Sequence, residues 1–181
     1  MEHIRVNNNI RIEHIKLSMA PVIFETISNN REFLKPWLPF VELTLEVSDT
    51  ENFIRSIMSQ AHRRKDEIFS IWYKEEFAGL IGFKDTDWVN RKTELGYWIA
   101  EEMQGKGIVT LCVNQLLKYS FQKLKLNRVQ IKVAVGNHKS AAIPRRLNFY
   151  FEGTERAGEL HLNNFFDLEV YSLLKSDWQQ Q

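Results

Sequence analysis

The chain has 181 residues, of which 44% are hydrophobic and 26% are charged, values that are ordinary for a globular protein in water. Its 24 Lys and Arg residues nearly balance its 23 Asp and Glu residues, giving a net charge of +1, so we predict no nucleic-acid partner and no polybasic membrane contact. The sequence has no apolar run long enough to span a bilayer, no secretory signal, and one cysteine, Cys112, which cannot form an internal disulfide; together these favour a cytoplasmic location.

The N-terminal third of the sequence predicts one strand followed by helices. Residues 10–17 alternate apolar and polar side chains, which is typical of a strand. Ser18 is predicted to cap the helix that follows. Residues 33–40 contain two prolines and predict an irregular loop or a short, broken helix. Helical periodicity returns over residues 48–61 and ends in a basic run at residues 62–65, which we interpret as a solvated helix end.

The rest of the sequence predicts strands interspersed with two helices. The predicted strands cover residues 68–73, 77–83, 93–100 and 128–135, with two more near 150–156 and 165–173. One helix begins at Gly107 and carries a core-facing apolar stripe that includes Cys112. A short helix is predicted from about Lys139. This order predicts a mixed α/β sheet, and the lack of repeats or linkers predicts one domain over residues 1–181.

A loop between the third of these strands and the helix from Gly107 is the most informative segment. The first turn of a helix has unpaired N–H groups and the positive end of the helix dipole. Gly105 and Gly107 have no Cβ, so an anion can approach those donors closely. The loop therefore indicates a phosphate site, although a glycine-rich connection without a ligand is the alternative. Its residues are Gln104, Gly105, Lys106, Gly107, Ile108, Val109 and Thr110.

This loop lacks the glycine spacing of a Walker loop or a dinucleotide-binding fingerprint. It resembles instead the pyrophosphate loop of the GNAT superfamily of acyl-CoA-dependent N-acyltransferases, Gln/Arg-x-x-Gly-x-Gly/Ala. Gln104 and Gly107 fill the first two fixed positions, and Val109 departs from the third. A second segment, residues 137–140 followed by 145–153, is similar to another GNAT signature.

The runs at residues 94–99 and 126–129 are similar to the RimJ/RimL branch of this superfamily, which acetylates N-terminal amines of ribosomal proteins. The resemblance implies a mixed, mostly antiparallel central sheet flanked by helices, with an acyl-CoA cleft where two central strands splay apart. It also implies acetyl-CoA as cosubstrate, a primary amine as acceptor, a homodimer and no metal.

The resemblance also assigns cofactor-binding residues. Backbone amides near Gly105, Gly107 and Ile108 would face the pyrophosphate, and Lys106 would add charge or remain solvated. Trp98 and Ile99, with Ala100, occupy strand positions whose backbone binds the pantetheine arm; Trp98 as ordinary core or pocket wall is the alternative. Asn137 would bind the cofactor, cap the following helix, or do both.

Two residues are candidates for catalysis. Glu94 occupies a strand position at which several family members carry a catalytic carboxylate, and strand alternation places it on one face with Gly96, Trp98 and Ala100. The alternative is a structural ion pair with Arg91 or Arg128.

Ser140 is the candidate proton donor to the departing thiolate, and helix capping is its alternative role. Many GNAT enzymes have a tyrosine seven residues after the position of Asn137, but this chain has Pro144 there. Asn148 stands where the family usually has glycine, and asparagine is the best substitute if φ is positive.

The acceptor amine is expected on the side of the N-terminal helices, with Trp37, Phe40 and Trp88 as candidate wall residues. A protein N-terminus is the predicted acceptor. The alternatives are a polyamine or an aminoglycoside, and, in another functional class, an acyl-CoA-binding module without catalysis.

Overall fold

A computed structural model describes residues 3–59 and 66–179 of the chain. Eight strands of these residues form one sheet in the order β1-β2-β3-β4-β5-β6-β8-β7. All neighbouring strands are antiparallel except β5 and β6, which are parallel. The strands are β1 (His3–Arg5), β2 (Ile10–His14), β3 (Glu67–Tyr73), β4 (Glu76–Asp87), β5 (Lys92–Ile99), β6 (Arg128–Ala134), β7 (Tyr150–His161) and β8 (Asn164–Leu174).

Helices cover both faces of this sheet. They are α1 (Ala20–Asn29), α2 (Arg31–Leu34), α3 (Val47–Ser59), α4 (Ile108–Lys118), α5 (His138–Arg146) and α6 (Lys175–Trp178). Buried residues of α1 and α3 pack on one face, and those of α4 and α5 pack on the other. The predicted mixed α/β, mostly antiparallel sheet is confirmed; β1 and α6 were not predicted.

Some local predictions need correction. Ser18 does not cap α1, because it lies inside a 3-10 turn, Leu17–Met19, and α1 begins without a side-chain cap. Of the two alternatives for residues 33–40, an irregular loop or a short, broken helix, the structure shows the second, since α2 ends at Leu34 and a separate 3-10 turn covers Pro39–Leu43. The end of the helix predicted over residues 48–61, and the basic run at residues 62–65, lie outside the described residues.

The side chains of β5 divide between the two cores. Leu95, Tyr97 and Ile99 belong to the core under α4, whereas Trp98 belongs to the core under α1 and α3. Ala100, which was expected on the face of Trp98, packs in the α4 core instead. The strand ends at Ile99, so its two-residue alternation does not extend to Ala100.

The sheet opens between β5 and β6. Their parallel pairing covers only three residues of each strand, from Lys92 with Arg128 to Glu94 with Gln130. Beyond that point β5 continues on β4 as far as Ile99, and β6 continues on β8 as far as Ala134. The C-terminal halves of β5 and β6 therefore border a gap, as the predicted splay requires.

The backbone of β5 presents alternate residues to this gap. The Ala100 N–H donates to the Ala78 carbonyl at 2.8 Å, so this residue bonds to β4. The Trp98 carbonyl oxygen also faces β4, only 2.1 Å from where a Cβ on Gly79 would lie. Since antiparallel bonding alternates along a strand, the backbone groups of Tyr97 and Ile99 point away from β4 and into the gap.

We expect Gly79→Ala to lower the free energy of unfolding by about 2 kcal/mol or more, because the new methyl group overlaps backbone atoms that cannot move away cheaply. Chemical denaturation monitored by circular dichroism measures this change. Gly96→Ala on the neighbouring strand is the matched control, since a Cβ there meets nothing within 4 Å. Equal stability of the two variants would show that the close approach of β4 and β5 is not needed.

Candidate active site

The glycine loop has the conformation that its sequence demands. A 3-10 turn, Glu101–Met103, follows β5, and Gly105 and Gly107 then both adopt φ of +72°. An added Cβ at either position would meet no atom within 4 Å. Glycine is therefore needed for the left-handed backbone, and the space beside it is open to a ligand.

The N-terminus of α4 carries unpaired donors. Gly107 precedes the helix and offers no side-chain cap, and the first helical bond runs from the Leu111 N–H to the Gly107 carbonyl at 3.1 Å. Within residues 3–59 and 66–179, no bond to protein is made by the amides of residues 108–110. The side chains of Ile108 and Val109 are buried in the α4 core, which holds these amides in place.

Three cationic side chains surround the loop. The Lys106 ammonium lies 5.4 Å from the ring centre of Tyr73. Lys139 donates to the Gln104 side-chain oxygen at 2.9 Å, and Arg146 donates to the Thr110 hydroxyl at 2.9 Å. Helix α5 is thus tied to the loop near both of its ends. The positive charge and the free amides together suit a phosphate anion.

The start of α5 brings three polar side chains together. Asn137 caps the helix, its side-chain oxygen accepting the Ser140 N–H at 3.2 Å. The Ser140 hydroxyl lies 3.3 Å from the Tyr97 hydroxyl, and the Tyr97 hydroxyl donates to the Ser140 carbonyl at 3.1 Å. Pro144, at the position where many GNAT enzymes have a tyrosine, lies buried within the same helix.

Glu94 forms an ion pair, but with a partner that was not predicted. Its carboxylate lies 2.6 Å from the Lys84 ammonium on β4 and accepts a bond from Gln130 on β6 at 3.1 Å. Of the two expected partners, Arg91 and Arg128, the second pairs with Glu152 instead. Partial burial works against the charge of Lys84, but the Glu94 carboxylate raises the pKa of Lys84 above its ordinary value.

The two candidate catalytic side chains lie on opposite faces of the sheet. Glu94 shares its face with Trp98, on the side of α1 and α3, whereas Ser140 contacts Tyr97 on the side of α4 and α5. The gap between β5 and β6 separates them. A thioester held in this gap is accessible to an amine from one face and to a hydroxyl donor from the other.

Other residues also occupy defined places. Trp98 packs in the α1 core against Phe77, with ring centres 6.0 Å apart. Trp37 lies beside Gly136, the residue that precedes Asn137 in the sequence. Trp88 lies in the turn between β4 and β5. Asn148 has φ of +56°, as its substitution for glycine predicts.

Residues 9–150 match the acetyltransferase (GNAT) domain family. The chain belongs to this family. A putative ribosomal N-acetyltransferase, YdaF from Bacillus subtilis (strain 168), is 39% identical over 97% of this chain and 96% of its own length. A solved structure of RimL, a ribosomal alpha-N-protein acetyltransferase in complex with coenzyme A, shares the fold with a TM-score of 0.92 at 23% identity, covering 97% of this chain and 99% of that one.

A second solved structure, the microcin self-immunity acetyltransferase MccE in complex with acetyl-CoA and AMP, is 29% identical with a TM-score of 0.90, covering 96% of each chain. The GNAT protein described here is an acetyl-CoA-dependent N-acetyltransferase. Its free loop amides, its cationic rim and the gap in its sheet fit the diphosphate and the extended arm of that cosubstrate.

Sequence reasoning did not find four polar residues of this GNAT site: Lys84, Tyr97, Lys139 and Arg146. Each acts through a long-range contact that single-sequence periodicity does not encode. Of these four, Tyr97 lies in the aromatic run at residues 94–99 that precedes the loop, and this run is the sequence pattern that marks it. Cys112 is fully buried, and burial raises its pKa to about 12, as expected of a structural thiol.

A cavity of about 250 Å³ lies elsewhere, at the far edge of the sheet beside His14, Met58 and Glu67. None of its lining residues belongs to the loop, to β5 or to α5. The unpaired amides and the gap in the sheet therefore locate the site better than this cavity does. No helix within residues 3–59 and 66–179 is long and apolar enough to cross a membrane.

We expect Asn137→Ala to lower the free energy of unfolding by about 1 kcal/mol, because the Ser140 amide loses its cap. Asn137→Asp is the matched control, since a carboxylate accepts the same bond and is favoured by the helix dipole. Thermal and urea unfolding of both variants measure the difference. An alanine variant as stable as the wild type would contradict the capping role.

Proposed function

We propose that this GNAT enzyme acetylates the N-terminal amine of a protein, as RimJ/RimL-type enzymes do. The relative named as a putative ribosomal N-acetyltransferase supports this acceptor, since its similarity covers nearly the whole chain. The observation that carries the proposal is the charge pattern on the face that presents Glu94.

Three acidic side chains on this face each form an ion pair with a cationic side chain of another strand. Glu94 pairs with Lys84 at 2.6 Å, and the other two pairs are Glu152 with Arg128 at 2.5 Å and Glu155 with Lys132 at 2.6 Å. A polyamine with several positive charges is best bound by carboxylates that have no such partner. The paired carboxylates favour a single α-amine on a peptide instead.

For the cosubstrate, we propose that the amides of the loop and of the α4 N-terminus bind its pyrophosphate. The contributing segment is Gln104, Gly105, Lys106, Gly107, Ile108, Val109 and Thr110. The gap-facing backbone groups of Tyr97 and Ile99 would bind the pantetheine arm, while Trp98 would contribute through its side chain as part of the wall. Asn137 would act by placing the first turn of α5 beside the gap.

For catalysis, acetyl-CoA supplies the acetyl group as a thioester. The acceptor amine forms the new C–N bond and loses a proton to Glu94 directly or through water, while the C–S bond breaks. Ser140 gives its hydroxyl proton to the departing sulfur and takes one from water, so the serine ends unchanged. In this scheme Lys84 and Gln130 fix the Glu94 carboxylate at the point where β5 and β6 separate.

Thiol release from acetyl-CoA, measured with a panel of acceptors, tests the proposed acceptor. The panel contains ribosomal N-terminal peptides, the same peptides with a blocked N-terminus, spermidine and an aminoglycoside. We expect turnover with the free peptides alone, and mass spectrometry should place the acetyl group on the α-amine. Preferred turnover of spermidine or of the aminoglycoside would contradict the proposal, as would equal turnover of blocked peptides through lysine.

We expect Gly107→Ala to weaken acetyl-CoA binding by about tenfold or more, because alanine strains the left-handed backbone and its methyl group occupies the open space beside the loop. Isothermal titration calorimetry measures this affinity. Gly153→Ala is the control: Gly153 also has positive φ and open surroundings, but lies on β7, away from the loop. Unchanged affinity of the Gly107 variant for acetyl-CoA would show that the loop is not part of the binding site.

We further propose that residues 1–181 act as one domain, that the enzyme is cytoplasmic, and that it forms a homodimer. Edge strand β7 and its hairpin partner β8 support the dimer, since Leu160 and Phe165 form a cross-strand pair that is 57% and 67% exposed. Exposed apolar pairs on a sheet edge are typical of interfaces.

We expect the wild-type protein to sediment as a dimer and Phe165→Lys to sediment as a monomer. The charged side chain resists burial in an interface, whereas the fold should tolerate it at an exposed position. Analytical ultracentrifugation over a range of protein concentrations measures the oligomeric state of both proteins. A monomeric wild type, or a variant that remains dimeric, would exclude this interface.

A further inference from the structure

Tyr97 joins the two sides of the gap by its side chain. Its strand, β5, lies on one side of the opening, and α5 follows the strand that lies on the other. The phenol crosses between them and makes two contacts with a single residue: it donates to the Ser140 carbonyl at 3.1 Å and lies 3.3 Å from the Ser140 hydroxyl.

The local structure explains why this residue can reach across. Strand alternation turns the Tyr97 side chain toward α5, with Leu95 and Ile99 packed beside it in the α4 core. The parallel pairing of β5 and β6 has already ended at Glu94, so no backbone bond links the two strands at Tyr97. The phenol therefore fixes the distance between β5 and the first turn of α5.

We propose that Tyr97 is a positioning residue for the acetyl transfer, holding the Ser140 hydroxyl at the gap where the thiolate departs. This inference rests on the proposed role of Ser140. One bond holds the backbone of Ser140, and the other holds its Oγ, so both the position and the rotamer of the serine depend on the phenol.

The phenol is a hydrogen-bond partner rather than the acid itself. Burial raises the pKa of Tyr97 well above its usual range, which keeps the phenol neutral. Its single proton is given to the Ser140 carbonyl at 3.1 Å, so in this arrangement the phenol has no proton to offer the sulfur. The phenol oxygen in turn accepts the Ser140 hydroxyl proton at 3.3 Å, which fixes the rotamer of the serine until its hydroxyl turns to the departing sulfur.

A double-mutant cycle tests this proposal in the full-length enzyme with a reactive acceptor. Ser140→Ala should lower kcat by about a hundredfold, the scale of a lost general acid. Tyr97→Phe keeps the ring but removes the hydroxyl, and we expect kcat to fall by about tenfold with the KM for acetyl-CoA changed less than about twofold. In the Ser140→Ala background, Tyr97→Phe should have almost no further effect on kcat.

Tyr171→Phe is the control, because the Tyr171 hydroxyl accepts from Arg145 on the same helix at 2.8 Å but makes no bond to Ser140. We expect this variant to change kcat by less than about twofold. An equal loss of kcat in the two tyrosine variants would reduce Tyr97 to a general anchor of α5 and overturn the proposal.

The remaining outcomes distinguish the proposed role of Ser140 as proton donor from the proposed role of Tyr97 in positioning it. If Ser140→Ala lowers kcat but the effect of Tyr97→Phe is absent or fully additive, the positioning role fails while the proposed role of Ser140 survives. If Ser140→Ala leaves kcat unchanged, both fail. Circular dichroism melts of each variant check that a loss of kcat does not come from unfolding at the assay temperature.

Discussion

The early end of the pairing between β5 and β6 is the constraint on which the rest of the structure depends. Three residues of each strand pair, and then the strands separate because β5 stays on β4 while β6 stays on β8. Backbone groups inside a folded protein need partners, and an edge left open within a sheet is normally filled. The gap beside Tyr97 and Ile99 is thus an open edge with which an extended ligand would pair.

The surrounding elements are arranged around this gap. The glycine loop at the end of β5 starts α4 with its first amides free, so unpaired hydrogen-bond donors lie at the open end of the cleft. Helix α5 lies across the cleft and is held by Lys139 at the loop, by Arg146 at Thr110 and by Tyr97 at Ser140. The closed end carries Glu94, fixed between β4 and β6. One break in the ladder thereby opens a groove and separates Glu94 and Ser140 onto opposite faces.

Much of this arrangement could be predicted from the sequence, for physical reasons that apply to particular residues. The loop at Gly105 and Gly107 was predictable because left-handed backbone and a helix start leave a strong local pattern. The strands were predictable because their alternation reflects burial on two faces. The fold and the acetyl-CoA chemistry followed from the resemblance to GNAT enzymes, which the match over residues 9–150 confirms.

Other features could not be predicted because they depend on contacts between distant parts of the chain. Lys84 lies ten residues before its partner Glu94, and the register of β4 with β5 brings them together. Arg128, one of the two expected partners of Glu94, forms its ion pair with Glu152. Ser18 was a reasonable cap by residue type, but a 3-10 turn moved the helix start beyond it. The link from Tyr97 to Ser140 spans 43 positions and follows only from the path of α5.

Amide hydrogen exchange, resolved by residue with NMR, tests the central claim most directly. In the free enzyme, the amides of Gly96 and Trp98 should be protected by β4, whereas those of Tyr97 and Ile99 should exchange faster because they face the gap. Acetyl-CoA should slow exchange at Ile99 or Tyr97 and at the amides of the loop, leaving Trp98 unchanged. Exchange that is unaltered at all these gap and loop amides, under conditions where acetyl-CoA saturates the enzyme, would contradict the assignment of the gap as its binding site.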